Sequence, residues 1–128
     1  MKIASTIARY LLGLIFLVFG LNHYLSLIPT GPMPTGLAGQ FLGALMQSHY
    51  FYVVAFFEVA PAILLLVNRY VPLALTLLGP IIFNILLVGI LISRIALPMS
   101  ILLTILWLLV FYRMRSAFTG IFQERIAD

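Results

Sequence analysis

The sequence predicts an all-α fold, a single domain over residues 1–128 in which four membrane-spanning helices pack as an antiparallel bundle with a short surface helix in the outer loop. Two observations carry that prediction. The chain is 64% hydrophobic and only 8% charged, with a mean hydropathy of +1.22, whereas about a quarter of the residues in a soluble domain are charged. Four apolar runs, near residues 5–27, 50–67, 71–92 and 97–115, are each long enough to cross a hydrocarbon layer that takes about 20 residues at 1.5 Å apiece. Lipid offers the backbone no hydrogen bonds, so runs this apolar must satisfy themselves as helices.

The first run begins after Lys2 and Arg9, like a secretory signal. It continues into Asn22, His23 and Tyr24 without a small-residue cleavage site, which predicts a retained helix. The loop over 28–49 has two parts. Pro29 to Gly36 is turn chemistry that cannot extend a helix. Leu37 to Gln47 then puts Leu37, Phe41, Ala44 and Leu45 on one helical face, with Gln40 and Gln47 off it, predicting a surface helix across the outer mouth, as a cover or as a gating lid. Between the second and third runs, Asn68 to Tyr70 is long enough only for an antiparallel hairpin. Within the third run Pro80 leaves the Thr76 carbonyl without its helical donor, and Gly79 lets the helix bend. The fourth run carries Trp107 near its middle.

Charge sets the orientation. With a cytoplasmic N-terminus, Lys2, Arg9, Arg69, Arg113, Arg115 and Arg125 share that side and Arg94 stands alone on the other, a strong positive-inside bias. Both termini are expected in the cytoplasm, in a bacterial inner membrane. Cations at the ends of apolar runs suit anionic lipid headgroups, and Arg113, Arg115 and Arg125 read as a headgroup anchor. Nucleic acid would require a continuous basic face. The chain has no cysteine, so thiol relays, iron–sulfur clusters and Cys-ligated zinc find no ligands within it.

Polar residues inside the spans carry the functional information. Glu58 is the only acid in the first 123 residues, and a carboxylate at mid-bilayer costs roughly 2.5–3.5 kcal/mol on insertion scales. At 1.5 Å per residue, Asn22, Glu58 and Asn84 lie about 9, 12 and 13 Å below the outer ends of their helices. Three helices thus place polar groups in one layer, with His23 and Tyr24 just above it. Ala55 and Ala62 flank Glu58 with a small-residue stripe, and Gly13 and Gly20 stand on nearly one face of the first helix, predicting close contact between these two helices. A pocket near Pro80 follows from carbonyls freed beside a polar layer. Trp107 is a candidate wall for it, ordinary interhelical packing being the alternative.

The chain resembles the DoxX family of small bacterial membrane proteins. The segments that carry the resemblance run from Ala8 through Phe16, from Phe19 through Tyr24, from Phe57 through Leu66, and from Val71 through Leu86 with its Gly79-Pro80 and Asn84. They cover the first three helices. The resemblance implies a four-helix membrane protein, and for some members a link to membrane oxidoreductase complexes, including thiosulfate oxidation coupled to quinone. Gly89 stands where many members carry a histidine, and Ala62 where they carry a glycine. That first departure removes a proton carrier or ligand from the third span.

Three roles for Glu58 remain open. It is a protonated acid donating to His23 or Asn84 and locking helices together, a recognition group that holds the polar head of a lipid, quinone or other amphipath with Asn84, or a proton relay. The candidate ligand-binding set is Asn22, His23, Glu58, Pro80, Asn84 and Trp107, and no catalytic residue is assigned. His49 lies among Tyr50, Phe51 and Tyr52 in an interfacial aromatic belt, no His-x-x-His or carboxylate triad suggests a metal, and Ser26, Ser48, Ser93 and Ser100 lack triad partners. The expected partners are membrane lipid, an amphipathic ligand or quinone, an oxidoreductase subunit supplying any cofactor, or a second copy of the chain. A purely structural scaffold is the remaining alternative.

Overall fold

A computed structural model describes residues 2–25 and 34–122. Pro29 to Met33 of the expected Pro29–Gly36 turn, together with Ser26, Arg125 and the two terminal acids, fall outside these residues. The helices are α1 (Lys2–Leu25), α2 (Gly36–Gln47), α3 (Tyr50–Val67), α4 (Val71–Leu91) and α5 (Leu97–Met114), with a short 3-10 turn at Arg94–Ala96 and a 3-10 segment at Arg115–Phe122. Four helical stretches are long and apolar enough to cross a membrane: α1, α3, α4 and the stretch Arg94–Ile121 that contains α5.

The spanning helices form a ring in the order α1, α3, α4, α5, each touching its two neighbours. Leu12, Phe16, Ala62, Leu65, Leu75, Leu78 and Leu103 fill its centre and are almost wholly buried. Its outside is just as apolar. Phe83 is 61% exposed and Val53 60%, with Ile3, Ile7, Phe56, Ile105 and Leu108 also outward. Water does not tolerate so much continuous apolar surface around a monomer, whereas acyl chains do. The chain is an integral membrane protein.

The tightest seam is between α1 and α3, as the small-residue stripe predicts. A Cβ on Gly13 would stand 2.9 Å from Leu66 Cγ and 3.2 Å from the Ala62 carbonyl oxygen; on Gly20 it would stand 2.5 Å from Val59 Cγ2 and 3.2 Å from the Ala55 oxygen. Only hydrogen fits at either position. The same holds where α5 begins. At Gly89 a Cβ would lie 3.0 Å from Leu97 Cα and 3.1 Å from its nitrogen, so no side chain, histidine included, fits there without moving α5.

Tight turns close the ring. Asn68 and Tyr70 adopt left-handed backbone angles (φ 57° and 51°), and the Arg69 N–H returns to the Leu64 carbonyl at 3.0 Å, ending α3 and reversing the chain. The surface helix α2 occupies the opposite end and, among the described residues, packs chiefly on α3. Its covered residues are Ala38, Leu42 and Leu45, while Leu37, Phe41 and Ala44, three of the four on the expected apolar face, are exposed. A helix at a membrane surface can present apolar side chains to lipid as well as to protein, so periodicity alone does not say which side packs.

Candidate functional site

Serine and threonine hydroxyls of α4 and α5 are satisfied locally. Ser100 donates to the Leu97 carbonyl at 2.7 Å, Thr104 to Ser100 at 2.8 Å, and Thr76 to Pro72 at 2.8 Å, the back-bonding a helix offers short polar side chains. Trp107 is satisfied across helices, its indole N–H donating to the Leu75 carbonyl at 3.0 Å. Glu58 and Asn84 differ. Glu58 is 6% exposed, and its Oε2 has no hydrogen-bond partner. Asn84 is exposed, and among the described residues its carboxamide makes no hydrogen bond.

Both residues line the same feature, a lateral groove of about 800 Å³ between α3 and α4. It occupies the halves of these helices remote from the Asn68–Tyr70 turn. Val54, Phe57 and Glu58 form one wall, Ile81, Asn84, Ile85 and Val88 the other, and Phe41 and Leu45 of α2 reach over its outer end. Apart from Glu58 and Asn84 the lining is apolar or aromatic. The α3 wall also carries a backbone acceptor that reading the polar side chains alone overlooks: Pro61, fully buried one turn beyond Glu58, cannot donate to the Phe57 carbonyl.

His23 approaches Glu58 from α1. Its Nε2 stands 3.9 Å from Oε2, too far for a hydrogen bond and close enough for one bridging atom. The imidazole is fixed by stacking on Phe51 with centroids 4.8 Å apart and planes 15° from parallel. Beside it Tyr24 stacks on Tyr52 at 5.5 Å, and its hydroxyl donates to the Tyr52 carbonyl. His49 stacks on the other side of this group, 5.5 Å from the Tyr52 ring, making an aromatic collar above the acid. Asn22 lies half-buried on α1 and makes polar contacts of its own.

The six candidate residues therefore divide. Glu58 and Asn84 share the groove, and His23 adjoins Glu58 from the neighbouring helix. Asn22, Pro80 and Trp107 do not line the groove. Trp107 lies on the α5 side of α4, its ring 3.6 Å from where a Gly79 Cβ would be, stacked on Phe111 at 5.1 Å. The helical rotation that puts Asn84 into the groove turns Gly79 toward α5 and leaves Pro80 outward. No three His, Cys, Asp or Glu side chains converge among the described residues. Chemically the site is an apolar slot with one acid and one amide on its walls, suited to a molecule with a small polar head and a hydrocarbon body. Comparison with protein-family models, with curated proteins and with solved structures finds no match.

Proposed function

We propose that the protein binds an amphipathic small molecule, a lipid or a quinone, in the groove between α3 and α4, with its polar head held by Glu58 and Asn84. One observation carries this reading: an unpartnered carboxyl oxygen and an unpartnered carboxamide line the same slot within membrane-spanning helices. In hydrocarbon, each unsatisfied polar group costs on the order of several kcal/mol. By contrast, the serine and threonine hydroxyls of α1, α4 and α5 have each found a carbonyl. A head group bearing both donor and acceptor atoms would satisfy acid and amide together, and its chain would lie along Phe57, Ile81 and Ile85. The membrane would be a bacterial inner membrane and the end carrying Lys2, Arg69 and Arg113 would face the cytoplasm, so the groove opens into the outer leaflet. The distribution of positive charge supports that orientation. Membership of the DoxX family is part of the same proposal, and would make a quinone the first ligand to test.

Native mass spectrometry of protein released gently from membranes tests the reading. The expected spectrum contains a retained amphipath in one-to-one ratio, and Asn84→Leu lowers its affinity about tenfold through loss of one amide contact. A spectrum of bare protein, unaltered by Asn84→Leu, contradicts it.

A further inference from the structure

The other end of the bundle holds a second cavity, of about 260 Å³, bounded by the first turns of α1, the α3–α4 turn and the end of α5. Its polar lining comes from Ser5, Thr6, Arg9, Asn68 and Arg113. Two guanidinium groups border one small space, and among the described residues neither has a carboxylate within ion-pair distance, the single such contact among those residues being His23 with Glu58. Glu58 cannot serve, since it lies about 10 Å along α3 from Leu65, whose carbonyl accepts from Arg9. Like charges brought together at the edge of a low-dielectric bundle repel unless an anion lies between them.

Both arginines are held in place from behind. Arg9, half-buried, donates through one terminal nitrogen to the Leu65 carbonyl. Arg113 donates through Nη1 to the Ser5 hydroxyl at 3.1 Å and toward the Lys2 carbonyl at 3.4 Å. Ser5 is itself 4% exposed, and donates its own proton to Lys2 at 3.0 Å. A guanidinium has five N–H donors in a planar fork, so each keeps several for a ligand. Arg115, two residues on, does not line the cavity: it donates to the Tyr112 carbonyl and lies over the Tyr112 ring, 4.1 Å from its centroid, whereas Arg9, whose guanidinium also lies 4.3 Å from the Tyr10 centroid, does line it. Proximity to the headgroup region is therefore not enough to turn an arginine into this cavity.

We propose that Arg9 and Arg113, with Ser5, Thr6 and Asn68, form a specific binding site for a phosphate group. The remaining N–H donors of two guanidiniums and the Asn68 carboxamide suit a tetrahedral oxyanion, while Ser5 and Thr6, whose hydroxyls donate to the Lys2 carbonyl, line the site and Ser5 positions Arg113; the position at the end of the spans makes both a phospholipid headgroup and soluble phosphate accessible. This site is separate from the α3–α4 groove and does not depend on what fills it.

The test uses the full-length protein in nanodiscs of phosphatidylcholine doped with phosphatidylglycerol, released for native mass spectrometry, alongside calorimetric titration of detergent-purified protein with inorganic phosphate. Arg113→Gln is compared with Arg115→Gln, which removes the same charge from the same helix end. Ser5→Ala provides a second variant should Arg113→Gln fold poorly. Retained phosphatidylglycerol that falls about tenfold in Arg113→Gln and stays at the parental level in Arg115→Gln supports a lipid headgroup site. Phosphate binding with the same split between variants supports a soluble anion as the source. No enrichment of phosphatidylglycerol together with no phosphate binding, or equal losses in the two arginine variants, overturns the proposal.

Discussion

Glu58→Leu is expected to stabilise the delipidated protein and at the same time abolish ligand retention. The two effects have one cause. The acid is buried with Oε2 unpartnered, and an unsatisfied buried polar group costs about 1–3 kcal/mol relative to an apolar group of similar shape. Leucine removes that cost without opening a large cavity, so thermal unfolding in detergent should shift upward by an amount equivalent to about 1–3 kcal/mol. The apolar residue cannot receive a polar head, so the amphipath should be lost. A structural lock predicts the opposite sign, because removing an acid that joins helices weakens the bundle. Equal or lower stability with ligand still bound contradicts the proposed role.

Gly20→Leu is expected to have the largest destabilising effect, by pushing α1 from α3 beside the acid. The first added carbon already stands 2.5 Å from Val59 Cγ2 and 3.3 Å from Glu58 Cβ. Val59 is β-branched with little rotamer freedom, and the Ala55 carbonyl at 3.2 Å is backbone, so neither neighbour yields easily. Overpacking of this kind costs about 1–3 kcal/mol, and the displacement carries His23 away from Glu58. Gly43→Leu provides the reference, since an added Cβ there meets nothing within 4 Å. Thermal unfolding should separate the two variants clearly. If Gly20→Leu melts with the parent, the α1–α3 seam is not as close as described.

Much of this arrangement is legible in the residues themselves. An acid and an amide inside apolar runs are conspicuous because almost nothing else near them is polar, and counting 1.5 Å per residue places them at one depth without any tertiary information. Glycine and alanine at heptad spacing foretell the α1–α3 seam for the same reason, since small residues mark where backbones approach. Rotation about the helix axis is less legible. Trp107 and Asn84 lie at compatible depths, yet α4 meets Trp107 of α5 with its Gly79 face and turns Asn84 toward α3, a choice made by packing of Leu75, Leu78 and Ile82 into the core. The exposed face of α2 escapes periodicity because lipid and protein both accept apolar side chains. Arg9 and Arg113 stand 104 residues apart, so only the closed ring shows that they border one cavity.

The occupant of the α3–α4 groove decides the account, and photocrosslinking in native membranes identifies it directly. A photoreactive phenylalanine analogue replacing Ile85, on the groove wall, is compared with the same analogue replacing Ile105, half-exposed on the outer face of α5. The account predicts one dominant small amphipathic adduct at position 85, distinct from the bulk lipid mixture captured at 105 and lost when Glu58→Gln is added. The same lipid mixture at both positions, or a crosslink from position 85 to a second copy of the chain, would contradict it.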